Sequence, residues 1–352
     1  GAELSWRFGS KRGGLHRNGG KTEVGAYEIG LVTGPTVTSR EYEIKIRKGR
    51  DAADSAPLFA GRAVRWLLRD ERGGAGDRAA GRHRFSGSAA ARPVSRPLGK
   101  RSPRDVRVVS NNVYEDNLFK RREEFSRILK ALSPDVLALQ EIRRHDAAQV
   151  QGLVAGMLGG AWHTAHHADC FTLSRYPVLR SINLAAGVAA LLDLPDSYAV
   201  DLLLVNLHLG AGTQDARRQR EADEIIGMLR DLRAQGRPGA LKPGTPIMLA
   251  GDFNLVGLRR QLDTLLTGDI LDEGTYGPDE PPDWDGTPMT DLAPSHLAAN
   301  EAWTWANYHR KGFGPGRIDY LIYTDSAASI ANRFVLSTDT MADEALEAYG
   351  LR

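Results

Sequence analysis

The sequence contains a single cysteine, Cys170, among its 352 residues. One thiol excludes an internal disulfide and a zinc site built from cysteines. Cys170 stands in the apolar run Cys170-Phe171-Thr172-Leu173, a setting typical of a buried core residue rather than of a nucleophile. Cysteine chemistry is therefore not expected to carry the function.

The sequence also lacks a long hydrophobic run, because no segment approaches about 18 consecutive apolar residues, the length of a membrane span. With 41% hydrophobic residues, it can nevertheless bury the core of one large domain and a smaller one. The chain starts at Gly1 without a charged-then-apolar leader, so we expect the native N-terminus to lie upstream. The compartment stays open, export included, and we expect a monomer.

Charge is unevenly distributed although the formal net charge is only +2. Residues 1–104 hold 22 Lys and Arg against 10 Asp and Glu, whereas residues 105–352 hold 24 against 34. The acidic second part has no broad electrostatic footprint for nucleic acid. The basic first part is interpreted as a solvated Arg-rich segment, with contact to a polyanion as the alternative.

Three regions follow from the patterning. Residues 1–70 alternate apolar and polar side chains, as at Tyr42 and Ile44, and predict an incomplete, β-sandwich-like accessory domain. Its aromatic residues are interpreted as core, with a glycan-binding surface as the alternative. Residues 71–104 are rich in Gly, Ala, Arg, Ser and Pro and predict a linker. Residues 105–352 alternate strands and helices and predict a layered α/β domain.

Polar residues in this last region stand where apolar strands end or begin. They are Asn112, Glu141, His208, Asp252, Asn254 and Asp319. A layered α/β fold collects such strand ends on one edge, where sites are built. Carboxylates that directly follow apolar strands favour a cation partner, and an oxygen-rich, thiolate-free set favours Mg²⁺ or Mn²⁺ over zinc.

Six short motifs in this order resemble the endonuclease/exonuclease/phosphatase superfamily of DNase-like metal-dependent phosphoesterases. The motifs are Ser110-Asn111-Asn112-Val113, Leu137-Ala138-Leu139-Gln140-Glu141-Ile142, Leu173-Ser174-Arg175-Tyr176-Pro177, Val205-Asn206-Leu207-His208-Leu209, Gly251-Asp252-Phe253-Asn254 and Arg317-Ile318-Asp319-Tyr320. The resemblance spans Val106 to about Phe334. It implies a four-layered α/β sandwich, in which two packed β-sheets are flanked by helices.

The resemblance also implies roles for the polar residues. Glu141, helped by Asn112, would hold the catalytic Mg²⁺ or Mn²⁺. Asp252 would orient or deprotonate the attacking water, and Asn254 would steady a phosphoryl oxygen. His208 would hydrogen-bond the phosphate in the transition state.

Three further residues are substrate-binding candidates. Arg217 could reach a phosphate, although a solvated role at the start of a charged helix is the alternative. Trp303 and Trp305 could stack a base or a sugar, or could pack the core. The substrate therefore stays open between nucleic acid and a small or lipid phosphoester.

Two departures from the family pattern matter. Asn111 replaces a residue that is usually aromatic in the family. The family closes with a Ser-Asp-His motif whose histidine acts with Asp319, but all nine histidines here lie at or before His309. We therefore expect a fragment that lacks its last strand and hydrolyses phosphate esters very poorly. The alternative is a non-catalytic binding module with a degenerate phosphoesterase site.

Overall fold

The computed structural model describes residues 98–256, 258–306 and 315–352 in full, together with the backbone of three strands nearer the N-terminus. The chain divides into two compact units. The first comprises residues 1–90 and 307–314, and the second comprises residues 91–306 and 315–352.

The described part of the first unit is a three-stranded antiparallel sheet. Its strands, in the order of the sheet, are β1 (Ala2–Arg7), β2 (Tyr27–Thr33) and β3 (Ile44–Lys48). Strands β2 and β3 lie where alternating side chains predict strands, whereas no strand is predicted at β1. A further alternating stretch at Val64, Trp66 and Leu68 and most of the predicted linker lie outside the described residues.

The second unit begins its α/β pattern with a four-stranded sheet in the order β4-β5-β7-β6. The strands are β4 (Val108–Asn112), β5 (Val136–Gln140), β6 (His163–His167) and β7 (Cys170–Ser174). Strands β4 and β5 are parallel, and the other neighbours are antiparallel. The helices of this half are α1 (Asn117–Lys120), α2 (Arg122–Leu132) and α3 (Ala147–Leu158).

The second sheet of this unit has six strands in the order β12-β13-β11-β10-β9-β8. They are β8 (Val178–Leu184), β9 (Gly187–Leu192), β10 (Leu202–His208), β11 (Ile247–Asp252), β12 (Thr290–Asp291) and β13 (Asp319–Tyr323). Only β10 and β11 pair in parallel. The remaining helices are α4 (Asp215–Arg233), α5 (Arg260–Thr267), α6 (Glu273–Tyr276) and α7 (Asp343–Ala348), with a 3₁₀ turn at Thr338–Thr340.

Alternation along β10 shows how the layers form. Leu204 packs between the two sheets with residues such as Ala138 of β5. Leu203 and Val205 point to the other face, where they pack against Ile225 of α4. Each such side chain, once fully buried, contributes about 1.5–3 kcal/mol.

The first sheet repeats this arrangement, with Leu137 and Leu173 packed against Val150 and Val154 of α3. Helix, sheet, sheet and helix therefore stack as four layers, and the predicted α/β sandwich is confirmed. Cys170 is buried between the sheets, as expected. Among the described helices, none combines the length and the apolar character that crossing a bilayer requires.

Packing of the second unit starts within the stretch predicted as a linker. Leu98 is buried against Leu132 and Leu297, and Lys100 forms an ion pair with Asp135. Residues 98–104, which composition predicts as part of the linker, therefore belong to the second unit.

Candidate active site

The carboxyl ends of the parallel strands bring polar side chains from both sheets together. In the second sheet His208 lies beside Asp252, and Asp252 lies beside Asp319 on the next strand. In the first sheet Asn112 and Glu141 end β4 and follow β5. The five residues meet at one edge of the sandwich.

Asn112 joins the two sheets at this edge. Its side-chain Nδ2 donates to Glu141 Oε1 and to Asp252 Oδ2, each at 3.0 Å. Its Oδ1 accepts the backbone N–H of Tyr114 at 2.9 Å. One amide thus holds a carboxylate of each sheet within hydrogen-bonding distance.

Unusual backbone conformations shape the two strand ends. Glu141 has a φ of 63° and Asn254 a φ of 50°, both in the left-handed region that non-glycine residues rarely occupy. Gly251 has a φ of 144°, and a Cβ there would lie 1.9 Å from the Leu207 carbonyl oxygen. Glycine is therefore needed for the close approach of β10 and β11 just before Asp252.

Asn254 is fixed by two hydrogen bonds. Its backbone N–H donates to Asp252 Oδ1 at 2.9 Å, and its Nδ2 donates to the Leu209 carbonyl at 3.1 Å. These bonds place the Asn254 amide beside the Asp252 carboxylate, at the point where β10 and β11 both end.

His208 is held by a residue that the sequence did not single out. Its Nδ1 lies 3.1 Å from Asp169 Oδ2, and its Nε2 lies 4.0 Å from Glu141 Oε1. Arg143 Nε in turn lies 3.3 Å from Asp169 Oδ2, and Arg143 Nη2 lies 3.7 Å from Glu141 Oε2. The histidine therefore sits between two carboxylates, with its Nδ1 side fixed.

The contact between Asp169 and His208 changes the pKa of each residue. Burial disfavours charge on both groups, but their mutual hydrogen bond and attraction outweigh it. The pKa of Asp169 is consequently lowered below its ordinary value, with help from Arg143. The pKa of His208 is raised, with further contributions from Asp252 and Glu141. Both shifts favour an imidazolium facing the site.

The pKa values of two further carboxylates, Asp252 and Asp319, are raised. Burial raises the pKa of Asp252, although the hydrogen bond from Asn112 and the charge of His208 oppose the rise. Burial and then the charge of Asp252 raise the pKa of Asp319 to about 7, against a hydrogen bond from Thr304. Asp319 thus exchanges a proton near neutral pH.

Thr304 was also not singled out from the sequence. Its Oγ1 accepts the backbone N–H groups of Ile318 and Asp319 at 3.1 and 3.0 Å. It lies in the irregular segment between the two predicted substrate tryptophans, where no periodic pattern marks it. Asp169 lies in the turn between β6 and β7, where an aspartate looks like an ordinary turn residue.

The three predicted substrate residues have other identified contacts. Arg217 Nε lies 2.6 Å from Glu221 Oε1 on its own helix, α4. Trp303 donates from Nε1 to Glu301 and packs edge-on against the ring of His296. Trp305 is 37% exposed. A substrate role for these residues stays a prediction.

The donor set suits a hard divalent cation. Within the described part of the chain, no three His, Cys, Asp or Glu side chains are close enough together to hold a metal by themselves. Glu141 and Asp252 nevertheless converge on one amide, and the Asn112 oxygen keeps a second lone pair. Mg²⁺ commonly uses one or two carboxylates and keeps waters and substrate phosphate as its other ligands. The residues present therefore fit Mg²⁺ or Mn²⁺.

Comparison with known proteins identifies the family of this part of the chain. The model of the Endonuclease/Exonuclease/phosphatase family matches residues 110–339, which confirms the resemblance drawn from the six motifs. No curated protein matches the chain in sequence.

Three of the solved structures that are similar to the chain illustrate the range of sequence identity and coverage. Truncated Caenorhabditis elegans TDP2 is 17% identical, with 62% of this chain and 83% of that chain covered and a TM-score of 0.41. The human Nocturnin catalytic domain with bound sulfate is 16% identical, with 62% and 83% covered and a TM-score of 0.42. Sphingomyelinase C from Streptomyces griseocarneus is 15% identical, with 64% and 86% covered and a TM-score of 0.40. The family assignment rests on the family model.

Proposed function

Because the chain belongs to the Endonuclease/Exonuclease/phosphatase family, whose members are hydrolases of phosphoester bonds, we propose that it is a Mg²⁺- or Mn²⁺-dependent phosphoesterase. The observation that carries the proposal is the bridge from Asn112 to both Glu141 and Asp252. These carboxylates come from different sheets, and buried like charges brought together in this way favour a nearby cation.

Glu141 and Asn112 would hold the cation, which when bound would supply positive charge to polarise the scissile phosphate and to offset charge on the leaving oxygen. Asp252 is positioned to orient and deprotonate the attacking water. Asn254 holds a phosphoryl oxygen beside it. His208, kept protonated by Asp169, donates a hydrogen bond from Nε2 to the phosphate as negative charge develops.

Proton transfer in the proposed reaction uses residues that this sequence contains. No histidine follows His309 in these 352 residues, so the partner that the family pattern gives Asp319 is not among them. Asp319, with a pKa of about 7, is suited to exchange a proton with the reacting groups at neutral pH.

Hydrolysis of bis(p-nitrophenyl) phosphate by the purified chain tests the proposal. Because the family's closing histidine is not among these residues, we expect slow turnover with Mg²⁺ or Mn²⁺ that EDTA abolishes, and a further loss of about 10²- to 10⁴-fold in kcat for Glu141→Gln and Asp252→Asn. Asp231→Asn is the matched control. Asp231 lies on the outer helix α4 and is a half-exposed carboxylate that pairs with Arg237 beyond the end of that helix. Its kcat should equal that of the wild type.

The non-catalytic binding module is an outcome of the same experiment. If the cation raises the melting temperature of the wild type, but not of Glu141→Gln, while no ester is turned over, the site binds without catalysing. Turnover that survives in both Glu141→Gln and Asp252→Asn contradicts the proposed site altogether.

A further inference from the structure

Tyr114 stands at the edge of the candidate site with most of its side chain in solvent. It is 63% exposed, more than any other large hydrophobic side chain in the described residues. Its backbone N–H lies 2.9 Å from Asn112 Oδ1, so the residue begins directly at the site. An exposed aromatic ring in this position is not explained by packing.

The backbone that presents Tyr114 is strained. Tyr114, Glu115 and Asp116 have φ angles of 46°, 51° and 62°, three consecutive residues in the left-handed region. An aromatic residue in this region is a conformational outlier, and such outliers persist only where the surroundings enforce them.

Four hydrogen bonds enforce this conformation. The Tyr114 N–H is bound by Asn112 as described above, and the Glu115 N–H donates to Glu141 Oε2 at 3.0 Å. The Asp116 N–H donates to the Glu141 carbonyl at 3.0 Å. Asp116 Oδ1 accepts the N–H of Arg143 at 2.8 Å. The loop is thus fixed to the residues that carry the proposed chemistry.

Holding Glu141 accounts for the loop but not for the ring. The N–H groups of Glu115 and Asp116 make the contacts to Glu141. Asn or Gly at position 114 would adopt the same backbone with less strain. The tyrosine side chain therefore needs a separate explanation.

We propose that Tyr114 binds a flat ring of the substrate beside the phosphate site, so that the substrate is a phosphate ester bearing an aromatic or heteroaromatic group. This inference rests on the proposed function and names its substrate class. An aromatic ring on a fixed backbone has only two side-chain torsions to order when it stacks on another ring, and every nucleobase or aryl group has such a face.

Calorimetric titration in the presence of Mg²⁺ tests the inference without requiring turnover. Adenosine 5′-monophosphate is compared with ribose 5-phosphate, and benzyl phosphate with ethyl phosphate, so that each pair differs only by a ring. We expect the wild type to bind the ring-bearing member about 5- to 20-fold more tightly. A preference for both rings indicates any flat group, and a preference for adenine alone indicates a nucleobase.

Three variants separate binding from folding. Tyr114→Phe should keep the ring preference. Tyr114→Asn should abolish it, leave the affinity for ribose 5-phosphate unchanged and raise the melting temperature, because asparagine tolerates the left-handed backbone. Leu179→Asn is the matched control, since Leu179 is 53% exposed and lies near the N-terminal end of β8. It should retain the full preference.

The inference is overturned if the wild type shows no ring preference. It is also overturned if the preference survives in Tyr114→Asn, or if that variant loses affinity for both members of a pair equally. The proposed function fails separately. A chain that binds with ring preference but hydrolyses no ester refutes the phosphoesterase and leaves the role of Tyr114 standing.

Discussion

The phenol of Tyr176 is a single side chain whose environment makes stability depend on pH. Burial, then the nearby charge of Asp135 and the neighbouring Tyr198, raises the pKa of Tyr176 to about 12. A free tyrosine titrates near 10, so the folded chain holds this proton more tightly than the unfolded chain. The resulting stabilisation is complete below about pH 10 and is lost as the pH rises towards 12.

Tyr176→Phe removes this titration and is the first prediction. The wild type should lose about 1 kcal/mol more than the variant between pH 9 and 12, a figure reduced for the partial exposure of the ring. Urea unfolding at several pH values measures it. Parallel alkaline losses in the two proteins would show that Tyr176 titrates like a free tyrosine.

Single residues also show where reading the sequence succeeds. Glu141 and Asp252 each end an apolar strand abruptly, and strand ends of a layered fold converge, so their meeting could be predicted. The roles of Asp169 and Thr304 could not be predicted, because each role depends on which residue lies next to it in the folded chain. Asp169 matters through His208, and Thr304 through Asp319.

Secondary-structure elements were the most predictable level. The apolar runs that became β5 and β10 are buried on both faces, which such runs predict. The spacing of Leu118, Phe125, Leu129 and Leu132 predicts one continuous helix from about Leu118 to Leu132, whereas the chain forms α1 and α2 with a break at Arg121. Apolar spacing continues across this break, so periodicity alone does not reveal it.

One polar contact between elements stands out in the apolar layer that separates the sheets. Gln140 of β5 and Asn206 of β10 are both fully buried, and Gln140 Nε2 donates to Asn206 Oδ1 at 2.7 Å. Asn206 Nδ2 also donates to the Leu139 carbonyl at 3.2 Å. Gln140 precedes Glu141 and Asn206 lies two residues before His208, so this bridge fixes the two strand ends relative to each other.

A double-mutant cycle on this bridge is the second prediction. Gln140→Leu or Asn206→Leu alone should cost about 1–3 kcal/mol of unfolding free energy, because each leaves a buried amide without its partner. The double variant should be more stable than the sum of the two losses predicts. Its kcat on a phosphodiester should still fall, by as much as about 10²-fold, because the strand ends lose their alignment.

Urea denaturation and steady-state kinetics measure the two effects. Strictly additive stability losses would show that the amides do not act as a pair. A double variant with wild-type kcat would show that the bridge stabilises the layer without aligning the site.

The chain as a whole combines two units of different character. Compact packing of the second unit reaches back to Leu98, which is 2% exposed. The basic residues 1–104 and the acidic residues 105–352 differ in composition as well as in charge. Composition predicts a boundary after residue 104, and it does not show that residues 98–104 pack with the second unit, because Leu98 is an isolated apolar residue in a Pro- and Arg-rich stretch.

Limited proteolysis with trypsin is the third prediction. Residues 71–97 hold six arginines, at 72, 78, 82, 84, 92 and 96, in a composition with too few aliphatic residues to bury a core. We expect the first cleavages after Arg72, Arg78, Arg82 or Arg84, because trypsin does not cut the Arg92–Pro93 and Arg96–Pro97 bonds. The stable fragment should therefore start between residues 73 and 85 and contain the second unit. In the described residues from Leu98 onward, secondary structure and side-chain packing hold the backbone, so cleavage there requires local unfolding. Intact mass spectrometry over a time course identifies the fragment, and the same digestion in urea provides the unprotected reference. If the earliest cut falls instead at an exposed arginine of the second unit, such as Arg237, then residues 71–97 are protected and do not form the predicted linker.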